Sequence, residues 1–163
     1  MEIKKTKFKD LLVFNSKNFF DKRGLFRELV IQKMVKEKLI FTVVSKSKKN
    51  VLRGLHMQKK NEQGKYISVI KGKILDVVVD CRKKSSTFGK HFKIILSEKN
   101  CKSIFIPRGF IHGFLGLENE NIVIYGCTNY RDKNSEIGIK WNIKNPILSK
   151  KDSKNLNFKD INF

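Results

Sequence analysis

The sequence predicts an all-β fold, a β-barrel or double-sheet jelly roll, with one short helix near the N-terminus. Three observations indicate this class. Short runs rich in β-branched residues recur along the chain, glycine-containing turns separate them, and only one segment has the helical spacing of apolar residues. No repeat, low-complexity segment or linker divides the 163 residues, so a single domain over residues 1–163 is expected.

The first predicted element is a helix from Glu28 to about Leu39, where the apolar residues of "ELVIQKMVKEKL" recur every three or four positions. The segment "KYISVIKGKILDVVVDC" is typical of two strands, which are expected to form a hairpin with a short turn at Lys71-Gly72-Lys73. Further strands are predicted in "HFKIILS", "SIFIP" and "ENIVIYGC", with a break at Pro107-Arg108-Gly109. From about Pro146 the chain is polar and is expected to wrap around the surface.

The formal net charge of +21 permits a nucleic-acid partner but does not favour one. Of the 36 basic residues, 30 are lysine and 6 are arginine, whereas recognition of bases and phosphates relies on the planar guanidinium of arginine. The chain has no alanine and is rich in residues encoded by A/T-rich codons, so a biased genome explains much of the charge. No specific nucleic-acid partner is therefore expected, although a positive field would attract an anionic small substrate.

The sequence is typical of a cytoplasmic protein without a membrane segment. It contains no run of 18 apolar residues, and its charged N-terminus has no apolar segment of the kind found in secretory signals. The three cysteines, Cys81, Cys101 and Cys127, are odd in number and lack CxxC spacing. They favour a reduced protein over a disulfide framework.

The histidines His56, His91 and His112 stand far apart in the sequence, so no two of them have metal-ligand spacing. Neither a metal nor another cofactor is expected. His56, in "VLRGLHMQ", is instead a candidate base for proton transfer.

A histidine base works best when a carboxylate orients it and stabilises its charged form. Since no acid follows His56 before Glu62, the partner must come from elsewhere in the chain. The residues alone leave Asp76, Asp80 and Asp152 open as candidates.

Two further residues could take part in such chemistry. Lys65, in "QGKYISV", could polarise an oxygen or hold an enolate, and Tyr125, in "NIVIYGC", could supply a proton from another wall of the barrel. Each also has an ordinary interpretation. A lysine is usually solvated, and a tyrosine on a strand usually belongs to the core or its rim.

Eight sequence blocks together resemble a known family. They occur in the order found in dTDP-4-dehydrorhamnose 3,5-epimerases and cover about residues 3 to 160: "FFDKRGLFRE", "VLRGLHMQ", "QGKYISVIKGKILDVVVDCR", "STFGK", "IPRGFIHGF", "YGCTNY", "EIGIKWN" and "LSKKD". The RGLH, QGK and HGF motifs are specific in combination, whereas each alone is weak.

The resemblance implies a metal-free, cupin-like jelly-roll homodimer that inverts C3, C5 or both in a nucleotide-linked 4-keto-6-deoxy sugar for surface-polysaccharide biosynthesis. It implies that His56 is the base, that Asp152 pairs with it, and that Tyr125 is the acid on the opposite face. Lys65 would then lie near the C4 oxygen. The residues implied to contact the substrate are Arg53, His112, Ser45 and Gln58, together with Arg23, Phe20, Phe26 and Glu28 at the nucleotide end.

The sequence departs from the family pattern in two places. "FTVVSKS" has Phe41 and Val43 where the family has Gln-x-Asn ahead of two serines, and these positions lie near the substrate in the family. An apolar replacement leaves a polar group of the usual ligand without its partner. This motivates the hypothesis of another nucleotide-linked 4-keto sugar, such as a GDP-linked or heptose one. The family's "YKCTDYY" stretch is also altered, at Gly126 and Arg131.

Two other functions compete with the epimerase. One is a nucleotide-sugar 3,4-ketoisomerase, which has a similar fold, and the other is a non-catalytic barrel that binds a nucleotide sugar. The joint presence of His56, Tyr125, Lys65 and Asp152 favours the epimerase over both.

Overall fold

The computed structural model describes residues 1–162, which form mainly strands. The strands are β1 (Glu2–Lys5), β2 (Leu12–Asn15), β3 (Phe19–Asp21), β4 (Gly24–Phe26), β5 (Phe41–Ser47), β6 (Leu52–Gln58), β7 (Lys65–Lys71), β8 (Lys73–Asp80), β9 (His91–Ser97), β10 (Lys102–Ile106), β11 (Phe110–Gly116), β12 (Asn121–Cys127) and β13 (Glu136–Gly138). Within these residues the helices are single 3-10 turns: η1 (Gln32–Met34), η2 (Asp152–Lys154) and η3 (Phe158–Asp160). The predicted all-β class is confirmed.

Two antiparallel sheets form the body of the molecule. The six-stranded sheet has the order β1-β2-β10-β7-β12-β5, and the five-stranded sheet has the order β13-β6-β11-β8-β9. Strands β3 and β4 form a separate two-stranded hairpin. The main core contains Ile67 and Val69 from one sheet together with Val78 and Phe114 from the other. Because residues alternate between the two faces of a strand, each sheet also has an outer face that needs its own cover.

The two outer faces are covered by segments outside the sheets. Tyr66 and Phe105, on the six-stranded sheet, pack with Val35 and Leu39. On the five-stranded sheet, an apolar cluster around Ile111 packs against Trp141 and Phe158 from the C-terminal part of the chain. The C-terminal segment therefore wraps around the surface, as predicted.

The helix predicted from Glu28 to Leu39 is wrong, because this segment contains only the single turn η1. The turn has no side-chain cap at Ile31, and several β-branched residues lower the helix propensity of the segment. The Gln32 side chain instead accepts a hydrogen bond from the backbone N–H of Leu39 and donates one to the carbonyl of Glu37. The apolar residues at helical spacing pack on the sheet from an irregular segment.

The hairpin predicted at Lys71-Gly72-Lys73 is also wrong, although both of its strands are present. Strand β7 pairs with β10 and β12, whereas β8 pairs with β11 and β9, so Gly72 is the corner at which the chain changes sheets. The φ of Gly72 is +79°, and a Cβ there would collide with the carbonyl of Glu120. The glycine signal marked a sharp turn correctly, but strand pairing depends on contacts far away in the sequence.

The three cysteines, Cys81, Cys101 and Cys127, are buried and unpaired. Over residues 1–162, no helix has the length and apolar character needed to cross a membrane.

Candidate active site

A cavity of about 620 Å³ opens between the two sheets. Strands of both sheets and the C-terminal segment contribute its walls. The candidate residues lining it are His56, Asp152, Lys65, Tyr125, Arg53, His112 and Gln58. Its volume falls within the range of a small-molecule site.

Strand alternation places the wall formed by the six-stranded sheet. Tyr125 and Cys127, two residues apart on β12, line the cavity, and the register of β12 and β7 sets Lys65 opposite Cys127. Phe41 and Val43 extend the same wall on β5. These side chains share a face because each strand presents every second residue to the interior.

Strand β6 contains an irregularity that lets two of its side chains line the cavity. Arg53 and His56 are three residues apart, so a regular strand would direct them to opposite faces, yet both line the cavity. The pairing of β6 with β11 shifts register here, and the intervening Gly54 has a φ of +108°. A bulge of this kind re-aims a side chain next to a binding site.

His56 forms a close pair with Asp152. The Nε2 atom of His56 lies 2.5 Å from Oδ1 of the Asp152 carboxylate, which is buried on η2. Ser149 holds this turn by accepting a hydrogen bond at its Oγ from the Asp152 backbone N–H at 3.0 Å. Burial lowers the pKa of His56, against the opposing attraction of Asp152 and Glu136.

The other two carboxylates left open by the sequence have different partners. Asp76 lies on β8 and pairs with His112, with 2.8 Å between Oδ2 and Nε2. Asp80 accepts hydrogen bonds from Arg82, Ser85 and other groups in the loop that follows β8. Among the three candidates, Asp152 is therefore the partner of His56.

Tyr125 and Lys65 lie on the wall across from His56. The hydroxyl of Tyr125 is 2.9 Å from Oγ of Ser45. Ser45 therefore contacts a residue that lines the cavity, while Ser45 itself does not line it. Burial raises the pKa of the Tyr125 phenol and lowers that of the Lys65 ammonium. The cavity thus has a histidine on one sheet and a phenol with a lysine on the other.

Arg53 and Gln58 are held by hydrogen bonds along the cavity wall. The guanidinium of Arg53 donates to Oγ of Ser47 at 2.8 Å. The buried amide of Gln58 donates to the carbonyl of Tyr130 at 2.9 Å and accepts from the backbone N–H of Asp132 at 3.1 Å. Gln58 therefore fixes the loop after β12 as well as lining the cavity.

A family model described as dTDP-4-dehydrorhamnose 3,5-epimerase matches residues 5–160. This chain belongs to that family. The resemblance seen in the sequence is confirmed, and so is the prediction that the protein is an isomerase of the carbohydrate epimerase type.

Relatives match the epimerase along nearly all of its length. The dTDP-4-dehydrorhamnose 3,5-epimerase of Shigella flexneri is 39% identical over 179 residues, covering 100% of this chain and 99% of the relative. The solved dTDP-4-dehydrorhamnose 3,5-epimerase of Sulfolobus tokodaii is 42% identical, with a TM-score of 0.88 over 98% of this chain and 97% of that one. The dTDP-6-deoxy-D-glucose-3,5-epimerase of Legionella pneumophila, solved in complex with dTDP-4-keto-L-rhamnose, is 34% identical, with a TM-score of 0.91 over 99% of this chain and 94% of that one.

Four residues expected at the nucleotide end of the epimerase site lie outside the cavity of the single chain. Phe20, Arg23 and Phe26 are exposed on the β3–β4 hairpin, and Glu28 follows it. Arg23 pairs with Asp21 of the same hairpin. One chain therefore does not bring these four residues to His56.

The two departures from the epimerase pattern do lie in the cavity. Phe41 and Val43 line it, and the Phe41 ring stacks on Tyr130 with an interplanar angle of 5° and a centroid distance of 5.7 Å. Arg131, at the other altered stretch, also lines the cavity. The cavity of this epimerase thus has an apolar strip beside a charged group.

Sequence reasoning missed Glu136 as a residue of the epimerase site. It lies on the short strand β13, which pairs with β6, and its Oε1 is 3.8 Å from Nδ1 of His56. The signal was present, because Glu136 begins the block "EIGIKWN" that carries part of the family resemblance. Within residues 1–162, no group of three or more His, Cys, Asp or Glu side chains is arranged to hold a metal ion.

Proposed function

We propose that this epimerase inverts C3, C5 or both in a nucleotide-linked 4-keto-6-deoxy sugar, with His56 as base and Tyr125 as acid. The observation that carries the proposal is that the His56–Asp152 pair and Tyr125 lie on opposite sheets of one cavity. A dTDP-linked hexose is the leading substrate, since the matched relatives are named for dTDP sugars.

The base acts through Nδ1. With Nε2–H donated to the Asp152 carboxylate, neutral His56 keeps its lone pair on Nδ1. That atom takes the proton from the carbon beside the ketone, and the electron pair of the broken C–H bond forms the enolate. A positioned general base of this kind accelerates a reaction by roughly 10²–10⁴-fold.

The enolate needs a positive neighbour for its oxygen. Lys65 supplies one from the opposite sheet, and a single donor aimed at developing negative charge lowers a barrier by about 3 kcal/mol. Tyr125 then returns a proton to the carbon from the other face, which inverts the centre.

The test is incubation in D2O with dTDP-linked 4-keto-6-deoxyglucose, followed by NMR of the sugar. The wild type is expected to incorporate deuterium at C3, C5 or both, and His56→Ala is expected to incorporate none above the uncatalysed rate. Movement of the carbonyl to C3 would instead identify a 3,4-ketoisomerase. Binding without exchange or turnover would indicate a non-catalytic barrel.

We further propose a homodimer in which the β3–β4 hairpin of one chain contributes to the cavity of the other. The hairpin exposes Phe20 and Phe26, which are 74% and 67% accessible, and large apolar side chains in this position favour an interface. The outer face of the six-stranded sheet adds an exposed Val44. This arrangement would bring the nucleotide-end residues to a site that they do not reach in their own chain.

Subunit mixing tests the exchange of hairpins. Arg23→Ala and His56→Ala dimers are each expected to have little activity, whereas mixed dimers contain one site with both residues intact. Unfolding and refolding an equal mixture would then restore roughly a quarter of wild-type activity. No gain over the separate variants, or a monomer by light scattering, would refute this arrangement.

Phe41 and Val43 favour a second candidate, a different nucleotide-linked 4-keto sugar such as a GDP-linked or heptose one. Their side chains offer no hydrogen bond to a ligand in the cavity. The kcat/KM values of the wild type and of Phe41→Gln/Val43→Asn are compared on dTDP- and GDP-linked substrates. A wild type that prefers GDP-linked sugars, with the preference moved about tenfold towards dTDP by the variant, would support the second candidate. A clear wild-type preference for the dTDP-hexose would eliminate it.

We also propose a cytoplasmic location and a role in making deoxysugars for surface polysaccharides. The three unpaired cysteines support a reducing compartment. Accumulation of the unepimerised nucleotide sugar in cells that lack the gene would test the role.

A further inference from the structure

The imidazole of His56 lies between two carboxylates, and the proposed mechanism uses only one of them. Asp152 is 2.5 Å from Nε2, and Glu136 is 3.8 Å from Nδ1. The nitrogen near Glu136 is the one left to accept the substrate proton. The charge that appears on His56 during the reaction therefore develops beside Glu136.

Glu136 is held firmly in this place. Its Oε2 accepts hydrogen bonds from Nε and Nη2 of Arg131 at 3.0 and 2.8 Å, and its Oε1 pairs with the Lys151 ammonium. The side chain is only 10% exposed. Burial works to raise the pKa of Glu136, but the hydrogen bonds from Lys151 and Arg131 outweigh it and keep that pKa below its usual value. The group is thus a carboxylate at neutral pH.

Arg131, which holds the Glu136 carboxylate, stands at a position where this chain departs from the family pattern. It occupies an altered position in "YGCTNYR", where the family stretch ends in tyrosine, and it spans from the loop after β12 to β13. The guanidinium donates two hydrogen bonds to one oxygen of the Glu136 carboxylate, whereas a phenol has a single O–H to donate.

We propose that Glu136 is a positioning residue that stabilises the protonated form of His56 after it has taken the substrate proton. Arg131 and Lys151 fix the carboxylate, and Glu136 acts on the substrate only through the imidazole. This inference rests on the proposed role of His56 as the base.

Several other charged or titratable groups surround His56. Asp152 and Lys151 approach from the C-terminal segment, and Lys151 opposes protonation while Asp152 and Glu136 favour it. The remaining titratable groups that line the cavity are Arg53 on β6, Lys65 on β7, His112 on β11, Tyr125 and Cys127 on β12, and Arg131 in the loop before β13.

The titration of His56 by NMR tests the inference without any substrate. The chain has 3 histidines, so the signal is assigned by its loss in His56→Asn. Glu136→Gln removes a charge that favours the imidazolium, and the midpoint of His56 is therefore expected to fall. A variant that merely loosened the site would let water in and raise the midpoint, because burial is what lowers it.

Lys151→Gln provides a variant of opposite sign. It removes a cation that disfavours the imidazolium, so the midpoint of His56 is expected to rise. Glu118→Gln is the matched control, since Glu118 pairs with Lys73 on the surface and does not line the cavity. The titration midpoint of His56 in Glu118→Gln should equal that in the wild type.

Kinetics complete the test. In Glu136→Gln, kcat is expected to fall roughly threefold to tenfold, with the acid limb of the pH profile moved to lower pH and KM little changed. An unchanged or raised midpoint in Glu136→Gln would overturn the inference, and the role of His56 would stand if the wild type still exchanges deuterium. If the wild type shows no exchange, the proposed function fails, whereas the titration still reports whether Glu136 acts on His56.

Discussion

Two histidine–aspartate pairs lie side by side in this molecule, and they differ in almost every respect except chemistry. His56 and His112 are opposite each other in the register of β6 and β11. His112 and Asp76 come from neighbouring strands, and their side chains are 5% and 0% exposed. His56 is 24% exposed, and its partner Asp152 comes from a turn 96 residues further along the chain.

The difference in burial and position suggests different roles, a structural one for the His112–Asp76 pair and a catalytic one for the His56–Asp152 pair. The His112–Asp76 pair joins adjacent strands and is almost fully buried where His112 borders the cavity, so the sheet holds both side chains in place. The His56–Asp152 pair lies at the cavity wall, where the ring is partly exposed and Glu136 is 3.8 Å from its Nδ1, so the proposed base can take up a proton and release it. We therefore expect loss of His112–Asp76 to affect mainly stability, and loss of His56–Asp152 to affect mainly catalysis.

Removing His56, the proposed base, is expected to have the largest effect. His56→Asn should lower kcat by at least about 10³-fold, because the proposed mechanism assigns removal of the substrate proton to this imidazole. The melting temperature should change little, since the ring is partly exposed. Steady-state kinetics measures kcat, and a calorimetric scan measures the melting temperature. A variant that retains more than a tenth of the wild-type rate would contradict the role of His56 as the base.

The buried pair should show the opposite balance. Asp76→Ala removes a fully buried carboxylate and leaves His112 without its partner, which is expected to cost about 3 kcal/mol of folding free energy. Denaturant unfolding monitored by the fluorescence of the 1 tryptophan gives the value. A loss below about 1 kcal/mol, comparable with that of an exposed site, would show that the pair is not structural.

Asp152→Asn tests the proposed role of Asp152 in supporting His56 as the base. The amide keeps the shape but removes the negative charge, so the imidazolium is less stabilised, and kcat should fall roughly 30- to 100-fold. Because the Asp152 side chain is buried while its imidazole partner is partly exposed, the free energy of unfolding should fall by about 1 to 2 kcal/mol, less than in Asp76→Ala. Equal losses of kcat in Asp152→Asn and in the surface variant Asp160→Asn would contradict the proposed role.

The smallest expected effect is the pH dependence of the wild type. Burial lowers the pKa of His56 from its usual 6.5, so log kcat/KM should rise with pH to a midpoint below 6.5 and remain level through neutrality. The contribution of His56 to the free energy of unfolding also rises with pH. Below pH 6.5 the unfolded chain binds a proton that the folded His56 resists, so this group's contribution to stability is present above 6.5 and declines as the pH falls. An activity midpoint above 6.5 would mean that a different group limits the reaction.

The sequence predicted much of the fold because strand patterns are local. Runs of β-branched residues located the strands around Lys65, His91 and Tyr125. The helix at residues 28–39 failed because apolar spacing alone does not distinguish a helix from an irregular segment that packs on a sheet. The hairpin at Gly72 failed because a sharp turn does not specify which strands pair after it.

For the candidate site too, local motifs were predictable from the sequence, whereas long-range contacts were not. The sequence by itself determined that Lys65 and Tyr125 stand on strands and that they and His56 lie in motifs typical of an epimerase, since local patterns and motif order are properties of the chain. The residues alone left three carboxylates open for His56, the family resemblance implied Asp152, and neither pointed to Glu136. Only the tertiary structure decided that Asp152 and Glu136 flank the imidazole while the hairpin residues stay outside the cavity. These choices depend on contacts between segments far apart in the chain, whose free energy arises only when the sheets are packed together.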